Sequence, residues 1–149
     1  LKEKWENGPR TVYGLAVPNF PNLLTLAGPQ SGSVATNFPR GIEEAVNWSS
    51  GFLEFLEKNK IEYFDAKLDA EDLWNNHVTE MAEKILFAKE KSWFTGYNVN
   101  VDKKYKGKCL IYAGGQIRFR EFITNEKIQN YPSFDKFTND QDALKHLVQ

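Results

Sequence analysis

The chain has 149 residues, of which 41% are hydrophobic, 26% charged and 14% aromatic, and its net charge is −1. This composition fits one globular domain with a modest core and carries no basic footprint for nucleic acid. No apolar run approaches the ~20 residues of a membrane span and no signal peptide is visible, so we expect a cytoplasmic location. The single cysteine, Cys109, excludes an internal disulfide and a cysteine zinc cluster.

The first part of the chain is predicted to form two strands, a loop and a long helix. Residues 11–17 and 22–27 are mostly apolar, which is typical of strands buried on both faces of a parallel sheet. Two strands do not make such a sheet, so we expect most of it to come from elsewhere. Residues 28–39 predict a loop of small and polar side chains, and a helix follows from about Pro39 to about Asn59.

The long helix is predicted to be apolar on two sides. Asn37 or Thr36 suits its N-cap, because a short polar side chain there accepts a hydrogen bond from the first turn. Helical spacing predicts two stripes, one of Ile42, Ala45, Val46, Ser49, Leu53 and Leu56, and a second of Trp48, Phe52 and Phe55. A helix with two apolar sides needs a packing partner on each side.

A short extended segment and a second helix are predicted next. Residues 61–68 partly alternate between apolar and polar, which predicts a short strand or an extended linker. The second helix is expected to be capped by Asp69 and to end near Phe87. Its spacing predicts one apolar face, formed by Leu73, Trp74, Val78, Met81, Ala82 and Ile85.

The last part of the chain is predicted to contain a long loop and a strand–helix unit. Residues 88–108 have a length that is usually functional or disordered when a segment has no structure of its own. Residues 109–113 are apolar and predict a strand, and residues 116–127 predict a helix. A short helix is predicted at residues 141–148, within the polar tail.

Motifs for self-sufficient catalysis or metal binding are missing from the sequence. The two histidines, His77 and His146, belong to no His-Glu-x-x-His pattern, so neither is expected to bind a metal. The string from Gly28 to Ser33 is one residue out of pattern with the Gly-x-Ser-x-Gly elbow of hydrolases. Neither a phosphate-binding loop nor a Gly-x-Gly-x-x-Gly fingerprint occurs, so no residue is assigned a catalytic role.

The loop between the second predicted strand and the long helix is the segment best suited to contact a cofactor. Residues 28–38 lead into the helix N-terminus, where free N–H groups and the positive dipole end favour an electron-rich ligand. A plain connecting turn explains the same composition equally well. Trp93 lies in a glycine-containing loop, where a packed aromatic side chain is the commoner outcome.

Several strings, taken in order, resemble the C-terminal part of the Baeyer–Villiger monooxygenases, in the group of cyclohexanone, phenylacetone and steroid monooxygenases. The resemblance spans about residues 8–128, and none of its strings is diagnostic alone. The matching strings include Gly14-Leu15-Ala16-Val17, Phe20-Pro21-Asn22-Leu23, Ala27-Gly28-Pro29-x-Ser31, Ile42-Glu43-x-x-Val46-x-Trp48, Ser92-Trp93-x-Thr95-Gly96-x-Asn98 and Tyr112-x-Gly114-Gly115.

This resemblance implies an α/β fold, namely the C-terminal fragment of a doubly wound, Rossmann-like FAD-binding domain with two long helices and a short C-terminal strand–helix unit. It implies FAD and NADP as cofactors of the intact enzyme, and a ketone substrate that gains one oxygen atom from O2 to become an ester or lactone. Because the glycine-rich fingerprints are absent, we expect the chain alone to be catalytically incomplete and to bind either cofactor weakly or not at all.

By resemblance, two segments are expected to contact the cofactors. The loop at 28–38 would lie against the flavin ring, and the loop around Trp93 would fold over the nicotinamide cofactor. The residues expected to bind cofactor are Gly28, Pro29, Ser33, Val34, Asn37, Phe38, Trp93 and Asn98.

The resemblance also implies an organisation in three segments. Residues 1–60 would hold the closing strands, flavin-facing loop and long helix of the FAD domain. Residues 61–128 would hold the second helix, the cofactor-covering loop and the strand–helix unit, and residues 129–149 the C-terminal tail. The expected partner is the missing N-terminal FAD- and NADP-binding part or a second copy, with no nucleic acid and no membrane. The alternative is a non-catalytic module that docks on a partner through a strand edge and aromatic faces.

Overall fold

Helices dominate the regular structure of the described residues, and two short strands complete it. The elements in chain order are α1 (Phe38–Lys58), β1 (Tyr63–Ala66), α2 (Leu68–Glu83), a 3₁₀ turn (Trp93–Thr95), α3 (Gln116–Ile128) and β2 (Phe134–Phe137). This computed structural model describes residues 1–32, 37–86, 90–97, 109–139, 142 and 145. The short helix predicted at 141–148 lies mostly outside the described residues.

Helix α1 begins and ends within one residue of its predicted bounds. Asn37 is its N-cap, and the Asn37 side-chain oxygen accepts a hydrogen bond from the Arg40 N–H at 3.4 Å. The prediction for one of its stripes is wrong in part, because Val46 and Leu53 are 39% and 53% exposed. The buried face consists of Ala45, Trp48, Ser49, Phe52 and Leu56.

An aromatic core lies between α1, α3 and the strand pair. The Trp48 indole N–H donates to the Ile123 carbonyl at 2.9 Å, which ties α1 to α3. Strands β1 and β2 pair antiparallel, with Ala66 opposite Phe134. Phe52 is fully buried at the centre of this core, in ring contact with Trp48, Phe64, Tyr131 and Phe134.

The strand predicted for residues 11–17 is not formed. Val12 and Ala16 instead form an isolated antiparallel bridge across a tight turn, and the Val12 N–H donates to the Ala16 carbonyl at 2.9 Å. Tyr13 and Gly14 inside this turn have φ of +57° and +71°, values that an extended strand does not contain. The apolar run is buried, as predicted, but in a turn that doubles back on itself.

The strand predicted for residues 22–27 is also wrong. Asn22 has φ of +58°, and its side-chain oxygen accepts the Phe64 N–H at 3.0 Å. The Asn22 N–H in turn donates to the Phe64 carbonyl at 3.0 Å. Asn22 alone is therefore hydrogen-bonded to Phe64 of β1, whereas a strand would form a series of backbone hydrogen bonds with it. The Thr25 N–H donates to the Leu15 carbonyl at 2.8 Å, which fastens this segment to the turn before it.

Helix α2 differs from its prediction at both ends and on one face. It begins at Leu68 after Lys67, without a side-chain cap, and it ends at Glu83. Asp69 is therefore a first-turn residue and not the cap. Leu73, predicted on the apolar face, is 72% exposed. The predicted burial is confirmed for Trp74, Val78, Met81 and Ala82.

The predicted strand–helix unit is half correct. Helix α3 covers the predicted residues 116–127, but residues 109–113 form no strand. Their hydrogen bonds go to two different segments, because the Leu110 carbonyl accepts the Gln30 N–H and the Leu110 N–H donates to Phe94. The strand in this part of the chain follows α3 and is β2. It pairs with β1, so residues 61–68 contain the first of the two predicted alternatives, a short strand, and not only an extended linker.

The described residues therefore form a helix-rich body with one small antiparallel sheet. Within this part of the chain, no helix combines the length and the apolar character needed to cross a membrane.

Candidate functional site

The site that stands out is a pocket of about 580 Å³ with mostly apolar walls. Three segments that are far apart in the sequence form it, together with the first residue of α1. The lining residues are Ala27, Gly28, Pro29, Ser31, Phe38, Trp93, Phe94, Leu110 and Ile111. We call it the aromatic pocket, because two largely exposed aromatic side chains line it. Phe38 is 64% exposed and Trp93 is 72% exposed.

Backbone hydrogen bonds tie the three wall segments together. The Gln30 N–H donates to the Leu110 carbonyl at 2.8 Å, and the Leu110 N–H donates to the Phe94 carbonyl at 2.8 Å. Residue 110 therefore bridges the loop around Gly28 and the turn that carries Trp93. This bridge explains how segments from three parts of the chain meet at one pocket.

The loop around Gly28 is fixed from behind by buried polar contacts. Gln30 is 4% exposed, and its side-chain nitrogen donates to Asn75 of α2 at 2.8 Å. The Thr11 hydroxyl lies 3.0 Å from the Pro29 carbonyl and 3.1 Å from the Gln30 side-chain oxygen. Ser31 donates its hydroxyl to the Gly28 carbonyl at 2.6 Å. This pocket wall is therefore held by the molecule's own hydrogen bonds.

Hydrogen bonds between Ser92 and Thr95 close the turn that carries Trp93. The Thr95 hydroxyl donates to the Ser92 carbonyl at 2.8 Å, and the Ser92 N–H donates back to the Thr95 hydroxyl at 3.1 Å. Thr95 is 5% exposed, whereas Trp93 projects outward with its ring centroid 4.4 Å from that of Phe94. The exposed indole thus sits on an anchored turn.

Four of the eight residues expected to contact cofactor lie around one pocket. Gly28, Pro29, Phe38 and Trp93 all line the aromatic pocket, although they come from two distant parts of the sequence. Asn37 does not line it and serves as the N-cap of α1. The predictions for Ser33, Val34 and Asn98 lie outside the described residues.

Sequence reasoning missed several residues of the pocket wall. Leu110 and Ile111 were assigned to a buried strand, and an apolar run gives no local sign that it lines a pocket. Ala27 and Ser31 belong to a matching string, which is the available sequence signal for them, although neither is among the predicted site residues. Phe94 completes the part of the wall that the sequence did not reveal.

The N-terminus of α1 offers fewer free N–H groups than the sequence suggested. Pro39 has no N–H, and the Arg40 N–H is bonded to Asn37. The positive end of the helix dipole remains at Phe38, beside the aromatic pocket.

Next to the pocket wall, burial raises the pKa of the Cys109 thiol, whose sulfur donates to the Ile111 carbonyl at 3.3 Å. A neutral, inert thiol is therefore expected at this position.

Metal chemistry has no support in the described part of the chain, where no group of three or more His, Cys, Asp or Glu side chains is arranged to hold an ion. His77 of α2 instead contacts aromatic rings. Its Nε2 lies 3.0 Å from the hydroxyl of the fully buried Tyr112, and its ring lies against Trp74 and Phe122.

The surroundings of His77 predict a pH-dependent stability. Burial lowers the His77 pKa below its ordinary value of 6.5, the charges of Arg118 and Lys84 lower it further, and Glu80 opposes them. The unfolded chain therefore binds a proton at a higher pH than the folded chain does. We expect the free energy of unfolding to be highest above about pH 6.5 and to fall as the pH is lowered through the folded pKa.

Urea unfolding between pH 5.5 and 7.5 measures this dependence. The His77→Gln variant keeps a polar group near Tyr112 but does not titrate, so its stability should vary less with pH over this window. His146, the other histidine of the chain, is common to both proteins and serves as the internal reference. An identical pH slope in the two proteins would exclude His77 as the source.

Comparison with known proteins identifies relatives over nearly the whole chain. The cyclohexanone 1,2-monooxygenase of Acinetobacter sp. is 33% identical over 135 residues, which are 91% of this chain and 24% of that enzyme. The Baeyer–Villiger monooxygenase of Pseudooceanicola batsensis is 28% identical over 133 residues, or 89% of this chain and 24% of that enzyme. No protein-family model matches the sequence.

Solved structures of such enzymes also superpose on more than nine tenths of this chain. The NADP⁺-bound cyclohexanone monooxygenase from Rhodococcus sp. Phi1 superposes with a TM-score of 0.83 and 29% identity, over 93% of this chain and 25% of that one. The complex of OTEMO with FAD and NADP gives a TM-score of 0.80 and 26% identity, over 91% of this chain and 24% of that one.

The homologues and structural neighbours of this chain are thus flavin monooxygenases. More narrowly, they are enzymes of the Baeyer–Villiger type, which confirms the resemblance derived from the sequence strings. The chain spans about a quarter of the length of these relatives. FAD and NADP are cofactors of such enzymes, as in the OTEMO complex that contains both.

Proposed function

We propose that the chain supplies part of the FAD and NADP site of a Baeyer–Villiger type monooxygenase, which inserts one oxygen atom from O2 into a ketone to give an ester or a lactone. The observation that carries this proposal is the meeting of Gly28, Pro29, Phe38 and Trp93 at one pocket. Gly28, Pro29 and Trp93 belong to strings that resemble the family, and Phe38 lies in the loop expected to face the flavin. As a separate polypeptide, the chain is catalytically incomplete.

The residues of the aromatic pocket fit a planar, electron-rich ring system. The two exposed aromatic side chains and Pro29 offer flat apolar surface to such a ring. The dipole of α1 points its positive end at this wall and is worth about 0.3–1 kcal/mol toward a negative group. When bound, FAD and NADP supply the oxygen activation and the reducing equivalents.

The chain's own residues have three tasks in this proposal. Phe38, Leu110 and Ile111 keep water from the ring, which matters because water promotes unproductive decay of reactive intermediates. Trp93 covers the nicotinamide cofactor and donates its indole N–H to it, a role supported by the exposure of the indole and by the anchoring of its turn. In the complete enzyme, residues 1–60 close a doubly wound FAD-binding domain, residues 61–128 cover the cofactor, and residues 129–149 form the tail.

The test combines the chain with the flavin-binding remainder, defined as the part of the Acinetobacter enzyme that this chain does not match. We expect the purified chain alone to be colourless and inactive, and the mixture to consume NADPH in a ketone-dependent manner. Trp93→Ala should raise the KM for NADPH about tenfold, the equivalent of one lost hydrogen bond of about 1.4 kcal/mol. Leu86→Ala is the matched control, because Leu86 is 81% exposed and does not line the pocket.

Two outcomes would contradict the proposal. Stoichiometric flavin in the purified chain, without a partner, would show that the site is complete without the remainder. Equal kinetic constants for the Trp93→Ala and Leu86→Ala proteins would remove Trp93 from the cofactor site.

A further inference from the structure

Helix α1 has an apolar stripe that the folded chain leaves in solvent. We call Phe38, Ile42, Val46 and Leu53 the outer face of α1. At about 100° per residue, these four positions fall within an arc of about 80°, next to the buried face. Phe38, Val46 and Leu53 are 64%, 39% and 53% exposed, and Ile42 is partly buried. The second packing partner that the sequence predicts for this helix is therefore not supplied by the described part of the chain.

The outer face is continuous with the aromatic pocket. Phe38 lines both the pocket and a small cavity of about 20 Å³, which Ile42 and Leu26 also line. Leu26 is itself 46% exposed, so the apolar surface extends from α1 onto the loop before Gly28. A body that covers the outer face would also close the side of the pocket at which Phe38 stands.

We propose that the outer face of α1 is a docking surface for the flavin-binding part of a Baeyer–Villiger type monooxygenase. This inference rests on the proposed function and names the partner surface that it requires. The Acinetobacter relative matches this chain over 24% of its length, so about three quarters of that enzyme has no counterpart here. The outer face and the aromatic pocket form one continuous apolar surface, and that larger part of the enzyme is the body that covers both.

Charge argues against a second copy of the chain as the occupant. Glu43, Glu54 and Glu57 are exposed and border the outer face on the side away from the core. In an antiparallel two-fold pairing of two α1 helices, each acidic border would meet its own copy, and like charges at such contacts are destabilising. A partner of different sequence is free of this repulsion.

Binding of the chain to the flavin-binding remainder tests the proposal. The double variant Val46→Glu/Leu53→Glu places two charges on the outer face, and Leu73→Glu/Ile128→Glu places two charges at positions that are 72% and 71% exposed elsewhere. Sedimentation velocity should show a one-to-one complex for the parent chain and for the control. We expect the outer-face variant to lose at least tenfold in affinity. Equal binding by both variants, or an equal loss in both, would overturn the proposal.

A measurement on the chain alone keeps the test decisive if the remainder does not fold. Binding of an apolar-surface dye should fall several-fold in the outer-face variant and little in the control. Unchanged dye binding would overturn the proposal, and so would a stable homodimer that only the outer-face substitutions dissociate. A complex that forms through the outer face but shows no flavin and no NADPH consumption would retain the docking surface and refute the proposed function.

Discussion

Replacing Phe52 with alanine is expected to lower the free energy of unfolding by about 3–5 kcal/mol, the range for deletion of a buried Phe side chain. Phe52 is fully buried, and four other aromatic rings lie with centroids 4.6 to 5.3 Å from its own. These rings come from α1, β1, β2 and the segment between α3 and β2, so no single segment can move in to fill the cavity. Urea unfolding followed by tryptophan fluorescence measures the effect.

The matched control is the next residue in the chain, Leu53→Ala. It also truncates an apolar side chain of the same helix, but Leu53 is 53% exposed. We expect a loss of about 0.5 kcal/mol or less, which is usual for surface positions. Comparable losses for the two variants would mean that α1 packs on the core through a different face from the one described.

The helices were predictable because their signals are local. Asn37 and Pro39 stand at the start of α1, where an N-cap and a first-turn proline have their own physical reasons to be. Which of two apolar stripes is buried is not a local property, since it depends on what packs against each. The sequence therefore located the helix but not the exposure of Val46 and Leu53.

The strands were less predictable because their partners are distant in the sequence. Strand β2 lies in a segment taken for a polar tail, and it is a strand only because Tyr63 to Ala66 of β1 pair with it. Residues 11–17 are apolar enough for a strand, but the positive φ of Tyr13 turns the chain back on itself. Apolar composition predicts burial more safely than it predicts extension.

The candidate site was likewise predictable only in part, because its residues come from distant segments. Gly28 and Trp93 were named through strings that resemble other enzymes, and nothing in their own segments predicts that they approach each other. The link between them is Leu110, whose backbone bonds both to Gln30 and to Phe94. Such a bridge carries no residue signature, because the backbone groups of any residue except proline can form it.

Gly14→Ala is expected to cost about 2–5 kcal/mol, the sum of a core overpacking term and the penalty for a left-handed backbone in a residue with a Cβ. Gly14 has φ of +71°, and an added Cβ would lie 2.4 Å from the Ser31 Cβ and 2.6 Å from the Ser31 Cα and N. Two of these three atoms are backbone, so a change of side-chain rotamer does not relieve the contact. Urea unfolding of the variant measures the loss.

Gly115→Ala separates the two causes, because Gly115 has φ of +84° but nothing within 4 Å of an added Cβ. Its ψ is 156°, in a region essentially restricted to glycine, so Gly115→Ala should cost only a backbone penalty of about 1–3 kcal/mol. The difference between the two variants then reports the contact of Gly14 with Ser31. Ser31 donates both its hydroxyl and its N–H to the Gly28 carbonyl, at 2.6 Å and 3.2 Å, so displacing Ser31 displaces a wall of the aromatic pocket. Equal losses for the two variants would mean that Ser31 yields at no cost, and that Gly14 does not support that wall.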